Sequence, residues 1–314
     1  MKFIKFCFYV LLTFIYVWVS SVFLVFHGPF PNLKNYVIGI VSTSMHPQYL
    51  EPLSLWTVSL NETKPQMNNV AGKGSTIFAS FKDVNDSSIE VKDYHAPTFS
   101  AKIMLVHDPK RIRVAVTKYK GDVGQTVSEM VDDAHAVAGI NGGSFSDVAY
   151  RGTGGIPLGN TIQDGKVITS GDSAPTIGFT DEGVLVCGTY SQKELIEDHV
   201  TQAVTFGPVL VKDGKGIIEG DGGWGYAPRT AIGQREDGTV IMVVTSGRMV
   251  NGPDDLGASM KDLMNLMLKY GAVNAANLDG GSSSTMVKDG VLLNQPTDVL
   301  GERKIATSFV VMPE

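Results

Sequence analysis

Apolar residues are distributed in three different ways along the 314 residues, and each pattern predicts a different kind of structure. From Phe6 to Phe26 the run FCFYVLLTFIYVWVSSVFLVF carries no charge and reaches the ~20 residues that a spanning helix needs. From His27 to Ser88 polarity is mixed, with short apolar pieces at Tyr36 to Val41 and Leu53 to Leu60 and then the turn-rich NETKPQMNNVAGKGST. This reads as a juxtamembrane stem with some local structure. Beyond Ile89, strand-like segments recur between Gly, Asp and Pro turns: KIMLVHDP, RIRVAVTK, TIGFT, GVLVCG and TVIMVVTS. Several are continuously apolar, as expected for strands buried on both faces.

Two helices stand out among these strands. The first starts at Thr126, whose spacing to Glu129 is that of a capping box, and is expected to reach about His135. The second starts near Ser259, carries Met260, Leu263, Met264, Met267 and Leu268 at helical spacing, and meets a stop at Gly271. The predicted fold is α/β in the broad sense (α+β), a mixed β-sheet packed by these helices after an N-terminal transmembrane helix.

Each helix leads into a similar short passage. DAHAVAGINGGSFS (133–146) and GAVNAANLDGGSSS (271–284) both read as strand, one polar residue, Gly-Gly and Ser, with Asn141 opposite Asp279. The match supports a shared local geometry rather than a duplication. A polar side chain at the end of a strand, followed by glycines, is exposed at the strand's edge, where backbone amides can approach a ligand closely.

Charge then fixes the compartment. Lys2 and Lys5 precede the apolar run and no basic cluster follows it, so the positive-inside rule puts the N-terminus in the cytoplasm and everything after His27 outside. A cleavable signal peptide is the rival reading. The apolar core is longer than the usual ~7–15 residues and no small-x-small site follows, which favours an uncleaved anchor. Setting Lys2 and Lys5 aside leaves 24 of the 26 basic residues against 32 acidic ones, a net charge of −8 outside the membrane. That argues against a nucleic-acid partner and against charge-driven adhesion to anionic lipid, but not against an anionic ligand held by a local arginine cluster. Cys7 lies in the membrane segment and Cys187 stands alone in the remainder, so no disulfide staples the soluble part.

Several chemistries fall away. GKGST (72–76) lacks the Gly-Lys-Ser/Thr order of a P-loop, and GGSFS lacks the last glycine of a nucleophile elbow. The six histidines show no zinc-type spacing, and no redox cofactor motif is present. What remains is an arginine pattern. Arg229 follows Pro228 at the mouth of a strand and is preceded by Trp224 and Tyr226, a combination suited to gripping an anion and stacking a sugar ring. Arg248 follows another apolar strand, and Arg303 precedes the last one. Three arginines at strand ends in a net acidic chain point to phosphate or carboxylate recognition.

In order, INGGSFSD, GTGGIPLGNTIQDGK, FGPVLVKDGK, APRTAIGQREDGT, SGR and NAANLDGGSSSTMV resemble the phosphodiester glycosidase family over about Ile89 to Glu314, and YVIGIVSTSMHPQYL resembles the segment after the anchor in membrane-bound bacterial members. The resemblance implies three parts: a cytoplasmic tip and anchor at 1–26, a stem at 27–88, and a phosphodiester glycosidase domain at 89–314. It also implies an extracytoplasmic hydrolase, held in the membrane by a single pass, that removes a sugar from a glycosyl-1-phosphodiester of the cell envelope. The expected catalytic residues are Asp279, Asn141 and Arg229. Asp279 would be nucleophile or general base, Arg229 and Arg248 would bind phosphate, and Asn141 and Ser144 would meet sugar hydroxyls. Gly142, Gly143, Thr230, Gly280, Gly281, Ser282 and Arg303 complete the expected substrate surface. One departure is Ser246-Gly247-Arg248, where many members carry Asp-Gly-Arg; it keeps open a non-catalytic module that binds glycan or teichoic-type phosphodiesters. No cofactor is required on this reading. A metal-dependent phosphodiesterase would need a divalent ion, Ca or Mg, held by Asp279 and loop carbonyls.

Overall fold

The computed structural model describes residues 2–42, 67, 86–146, 153–298 and 300–314. Both the apolar piece at Leu53 to Leu60 and GKGST at 72–76 lie outside these. Helix α1 (Lys2–His27) has no buried residue and is, among the described residues, the one helix long and apolar enough to cross a membrane. After Gly28 to Phe30 comes α2 (Pro31–Ser42).

The rest of the chain folds into sheets. In chain order the strands are β1 (Ile89–His95), β2 (Ser100–Val106), β3 (Ile112–Val116), β4 (Ala138–Asn141), β5 (Phe145–Ser146), β6 (Ile156–Pro157), β7 (Thr161–Gln163), β8 (Lys166–Thr169), β9 (Ala174–Thr180) and β10 (Leu185–Tyr190). They continue as β11 (Val200–Thr205), β12 (Val209–Lys212), β13 (Lys215–Gly216), β14 (Thr230–Arg235), β15 (Val240–Thr245), β16 (Ala272–Leu278), β17 (Met286–Lys288), β18 (Val291–Leu292) and β19 (Thr307–Val311). One sheet runs β1-β2-β15-β14-β16-β12-β13, a second β10-β9-β11-β7-β8, and a third β18-β17-β4-β19-β3.

Helices α3 (Val127–Asp133), α4 (Gln192–Glu197) and α5 (Met260–Lys269) pack on these sheets. The Thr126/Glu129 capping box is formed, and α5 opens with the equivalent Ser259/Asp262 box. The continuous apolar run of β15 now has its reason. Val240, Met242 and Val244 face a core shared with Ile140, Ile177, Phe179 and Phe309 of the other two sheets, while Ile241 and Val243 face Met260, Leu263 and Met267 of α5. Alternate residues of one strand are thus buried in two different layers. Val127, Met130 and Val131 of α3 cover the outer face of the third sheet with Val287 and Val310. The result is the expected β-sheet fold packed by helices.

Antiparallel register decides where the loops meet. Thr230, at the start of β14, pairs with Leu278 at the end of β16 and with Val244 near the end of β15. The residue just before β14 is therefore placed beside those just after β15 and β16. Arg229, Arg248 and Asp279 are brought to one edge of the same sheet by this arrangement.

Candidate active site

A cleft of about 220 Å³ opens at that edge, lined by Phe206, Trp224, Arg229, Arg248, Asn277, Asp279, Gly280, Gly281, Ser282 and Arg303. Three arginines and one carboxylate line it, and of the three Arg303 and Arg248 act on the Asp279 carboxylate. Eight of the residues singled out in the sequence line it: Asp279, Arg229, Arg248, Arg303, Trp224, Gly280, Gly281 and Ser282.

Asp279 is half-buried and lines the cleft. Burial raises its pKa, against opposing contributions from the Ser283 hydroxyl, Arg303, the Gly280 N–H and Arg248. The Gly280 N–H donates to Oδ1 at 3.0 Å. Ser283 Oγ lies close enough to favour the ionised form without completing a hydrogen bond of good geometry.

The arginines differ in how they are held. Arg229 is only 2% exposed, with Nε donating to Ala258 O at 3.2 Å and Nη2 donating to Trp224 O and Gly225 O at 2.8 Å each. Its backbone is fixed by Thr245, whose Oγ1 accepts from Arg229 N at 2.9 Å. Burial, and then repulsion from Arg248, lowers the Arg229 pKa to about 9, which leaves it charged at neutral pH. Much of this fork serves to fold the Trp224–Tyr226 loop, and the positive charge lies at the cleft wall.

Arg248 is held less tightly, by one long contact from Nη1 to Thr297 Oγ1 at 3.5 Å. Arg248 and Met249 both adopt left-handed backbone, with φ of 58° and 61°, and the turn they make aims the guanidinium back over Gly281. Gly281 is required there: φ is 61° and a Cβ would stand 2.9 Å from Arg248 Nη2. Arg303 donates from Nη1 to Ser282 Oγ at 3.1 Å and lies over the Phe145 ring at 5.2 Å.

Asn141 and Thr230 take a different place from the one expected at the sugar. Both are fully buried behind the cleft floor. Asn141 Nδ2 donates to Asp279 O at 2.6 Å, and Asn141 Oδ1 accepts from Thr230 Oγ1 at 2.7 Å and from Thr285 N at 3.1 Å. These bonds tie the two Gly-Gly loops to the start of β14. Gly142 O accepts from Asp279 N at 3.2 Å, and Gly143 N donates to Thr307 Oγ1 at 3.0 Å. Ser144 Oγ donates to Thr205 O at 3.0 Å, which joins this loop to the end of β11.

Ser246 also lies off the cleft. Its hydroxyl donates to Asp255 Oδ1 and accepts from Ser100 N at 2.8 Å, while Asp255 Oδ2 accepts from Asn251. The departure from Asp-Gly-Arg therefore alters a part-buried hydrogen-bond cluster outside the residues that line the cleft.

Asn277 and Phe206 were not singled out in the sequence. Asn277 stands two residues before Asp279 on β16, and period-two alternation places both on one face; that spacing was the available signal. Its Nδ2 donates to Gly207 O at 2.8 Å, while its buried Oδ1 meets no donor among the described residues. Phe206 lies 6.5 Å from Trp224 between ring centroids, and no local pattern marks it. Among the described residues no three His, Cys, Asp or Glu side chains gather as a metal site. The arginines around Asp279 also oppose a divalent cation at that carboxylate.

A family model described as phosphodiester glycosidase matches residues 134–312. An uncharacterized SPbeta prophage-derived protein of Bacillus subtilis is 28% identical over 261 residues, covering 76% of this chain and 39% of that protein. The human N-acetylglucosamine-1-phosphodiester alpha-N-acetylglucosaminidase is 28% identical over 193 residues, covering 55% of this chain and 36% of the enzyme. The chain thus spans less than half the length of these curated relatives. Among solved structures, the catalytic domain of the zebrafish enzyme of the same name, auto-inhibited by its pro-peptide, aligns with a TM-score of 0.59 at 22% identity, over 87% of this chain and 94% of that one. That likeness speaks for the fold.

Proposed function

We propose, for a chain that belongs to the phosphodiester glycosidase family, that the cleft hydrolyses a glycosyl-1-phosphodiester outside the cytoplasm, releasing the sugar from a phosphate monoester. The observation that carries the reading is one carboxylate and three arginines lining a single cleft, with Arg303 and Arg248 acting on that carboxylate. Its curated relatives named for a glycosidase act, by that name, on an N-acetylglucosamine-1-phosphodiester. The same class of bond is the proposed substrate here.

The geometry suits this chemistry because the leaving group is already acidic. A phosphate monoester has a second pKa of about 6, far below that of an alcohol, so the departing oxygen needs little protonation. Arg248 and Arg303 stabilise the developing charge, and the buried cation of Arg229 adds to the same field. One carboxylate then suffices: Asp279 attacks the anomeric carbon or deprotonates the attacking water. Trp224 and Phe206 offer ring faces to the sugar, and Asn277 Oδ1 supplies an acceptor for one of its hydroxyls. Ser246 faces Asp255, outside the cleft, so the motif that had favoured a purely binding role does not bear on the reacting groups.

The test is product analysis of the full-length protein in detergent with a panel of sugar-1-phosphate methyl esters in water enriched in oxygen-18. Heavy oxygen on the sugar's C1 means carbon–oxygen cleavage, as proposed. Label on the phosphate would mean a phosphodiesterase, and saturable binding without products would mean a binding module.

A further inference from the structure

Helix α2 packs against the body that holds the cleft. Toward the body, Ile38 is buried and Asn35 O accepts from Tyr226 N at 2.9 Å. Backbone meets backbone at Gly39, where a Cβ would stand 2.1 Å from Tyr226 O, and at Gly225, whose Cβ would stand 2.2 Å from Gly39 N. The loop gripped in this way holds Trp224 O and Gly225 O, the two carbonyls that accept from Arg229 Nη2. Burial lowers the Arg248 pKa, and Tyr36 is near enough to oppose that shift. Helix α2 is therefore part of the structure that shapes the cleft wall.

Its opposite face is apolar and open. Leu33 and Ile40, two turns apart on one stripe, are 41% and 45% exposed, and Phe30 just before the helix is 47% exposed. Helix α1, built to cross the bilayer, ends at His27, so α2 begins after three residues, a reach of roughly 10 Å. An exposed apolar stripe so close to a membrane span has one available solvent of its own kind, the acyl-headgroup boundary of the same bilayer. Charge does not drive this contact, since the part of the chain outside the membrane is net acidic.

We infer that α2 lies in the membrane surface with the cleft seated on its far side, and that the substrate is a glycosyl-1-phosphodiester borne by a lipid of that bilayer. The substrate half rests on the hydrolase reading above. With a helix about 10–12 Å across between bilayer and body, a phosphodiester at headgroup level needs only a short excursion to reach the arginines. In the reaction, water adds its hydroxyl to the anomeric carbon and the C1–O bond breaks. The lipid phosphate monoester leaves with the electron pair, and the remaining proton passes to solvent or to that phosphate.

The test uses the full-length protein in phosphatidylethanolamine/phosphatidylglycerol vesicles. A nitroxide attached through Leu33→Cys, with Cys7→Ser, is expected to collide preferentially with oxygen over a water-soluble nickel chelate; water-like collision rates would overturn the seating. Two esters of the same sugar phosphate are then compared, the methyl ester and a long isoprenoid ester carried in the vesicles. The parent is expected to prefer the isoprenoid ester at least tenfold in kcat/KM. The double variant Leu33→Glu, Ile40→Glu should lose that preference while keeping methyl-ester turnover within twofold. Equal rates on both esters in the parent, or an unaltered preference in the double variant, would overturn the lipid substrate. If neither ester yields sugar, the hydrolase reading falls and the lipid substrate with it, while the nitroxide result still decides the position of α2.

Discussion

Asn141 holds the backbone of Asp279: its side-chain amide donates to the Asp279 carbonyl at 2.6 Å from behind the cleft floor. The same side chain accepts from Thr230 and Thr285, so one buried amide joins three segments far apart in sequence. Asn141→Ala leaves the Thr230 hydroxyl and the Thr285 N–H without a partner, each at about 1–3 kcal/mol. Urea unfolding should show a loss of at least ~2 kcal/mol, and turnover should fall because Asp279 is displaced. A variant with parental stability would mean that these bonds are replaceable.

Asp279→Asn should separate activity from stability. As base or nucleophile the ionised carboxylate is essential, and turnover should drop on the order of 10³-fold or more. The folded-state pKa is raised by burial, so the native state binds more protons than the unfolded state between the two pKa values, and stability is lost as pH rises through that window. Removing the titration should leave the variant slightly more heat-stable than the parent at pH 7, with the difference vanishing at acid pH where both side chains are neutral. The parent's acidic activity limb should lie above the ordinary carboxylate range. A variant with a lower melting temperature at pH 7 would contradict the sign.

Arg229 and Arg248 should respond differently to loss of the guanidinium fork. Arg229→Lys abandons up to three backbone carbonyls and should cost roughly 2–4 kcal/mol of stability. Arg248→Met breaks little internal bonding, so stability should change by less than about 1 kcal/mol while kcat falls about 10²-fold. Paired melting and kinetic measurements on the two variants check this. Equal thermal losses would show that Arg248 is also structural.

Ser246→Ala should leave turnover within a few-fold of the parent, because the hydroxyl serves Asp255 and Ser100 and not the cleft. Ser246→Asp should destabilise the fold, by setting a second carboxylate against Asp255. Steady-state kinetics and melting of both variants give the answer. A loss of 10²-fold in the alanine variant would place Ser246 in the mechanism.

By itself the sequence determined the parts. An uncharged run of spanning length pointed to a membrane-directed helix, the Thr126/Glu129 spacing pointed to a helix start, and Asp279, Arg229, Arg248 and Arg303 were legible because charged residues at strand ends need a reason. The roles within the cleft were decided by tertiary structure. Whether Asn141 faces substrate or props Asp279 depends on hydrogen bonds to Thr230 and Thr285, 89 and 144 residues away, and no local pattern encodes them. Ser246 and Arg248 are two residues apart yet lie in different environments, because the left-handed backbone at Arg248 turns its side chain toward Gly281. Helix α2 was read only as stem, since Gly39 and Ile38 acquire meaning when Tyr226 packs against them. Pairing of Thr230 with Leu278 and Val244 is the physical step between the two levels: antiparallel register puts the beginning of one strand beside the ends of two others, and only then do Asp279, Arg229 and Arg248 share a cleft, which Arg303 joins from the loop before β19 of another sheet.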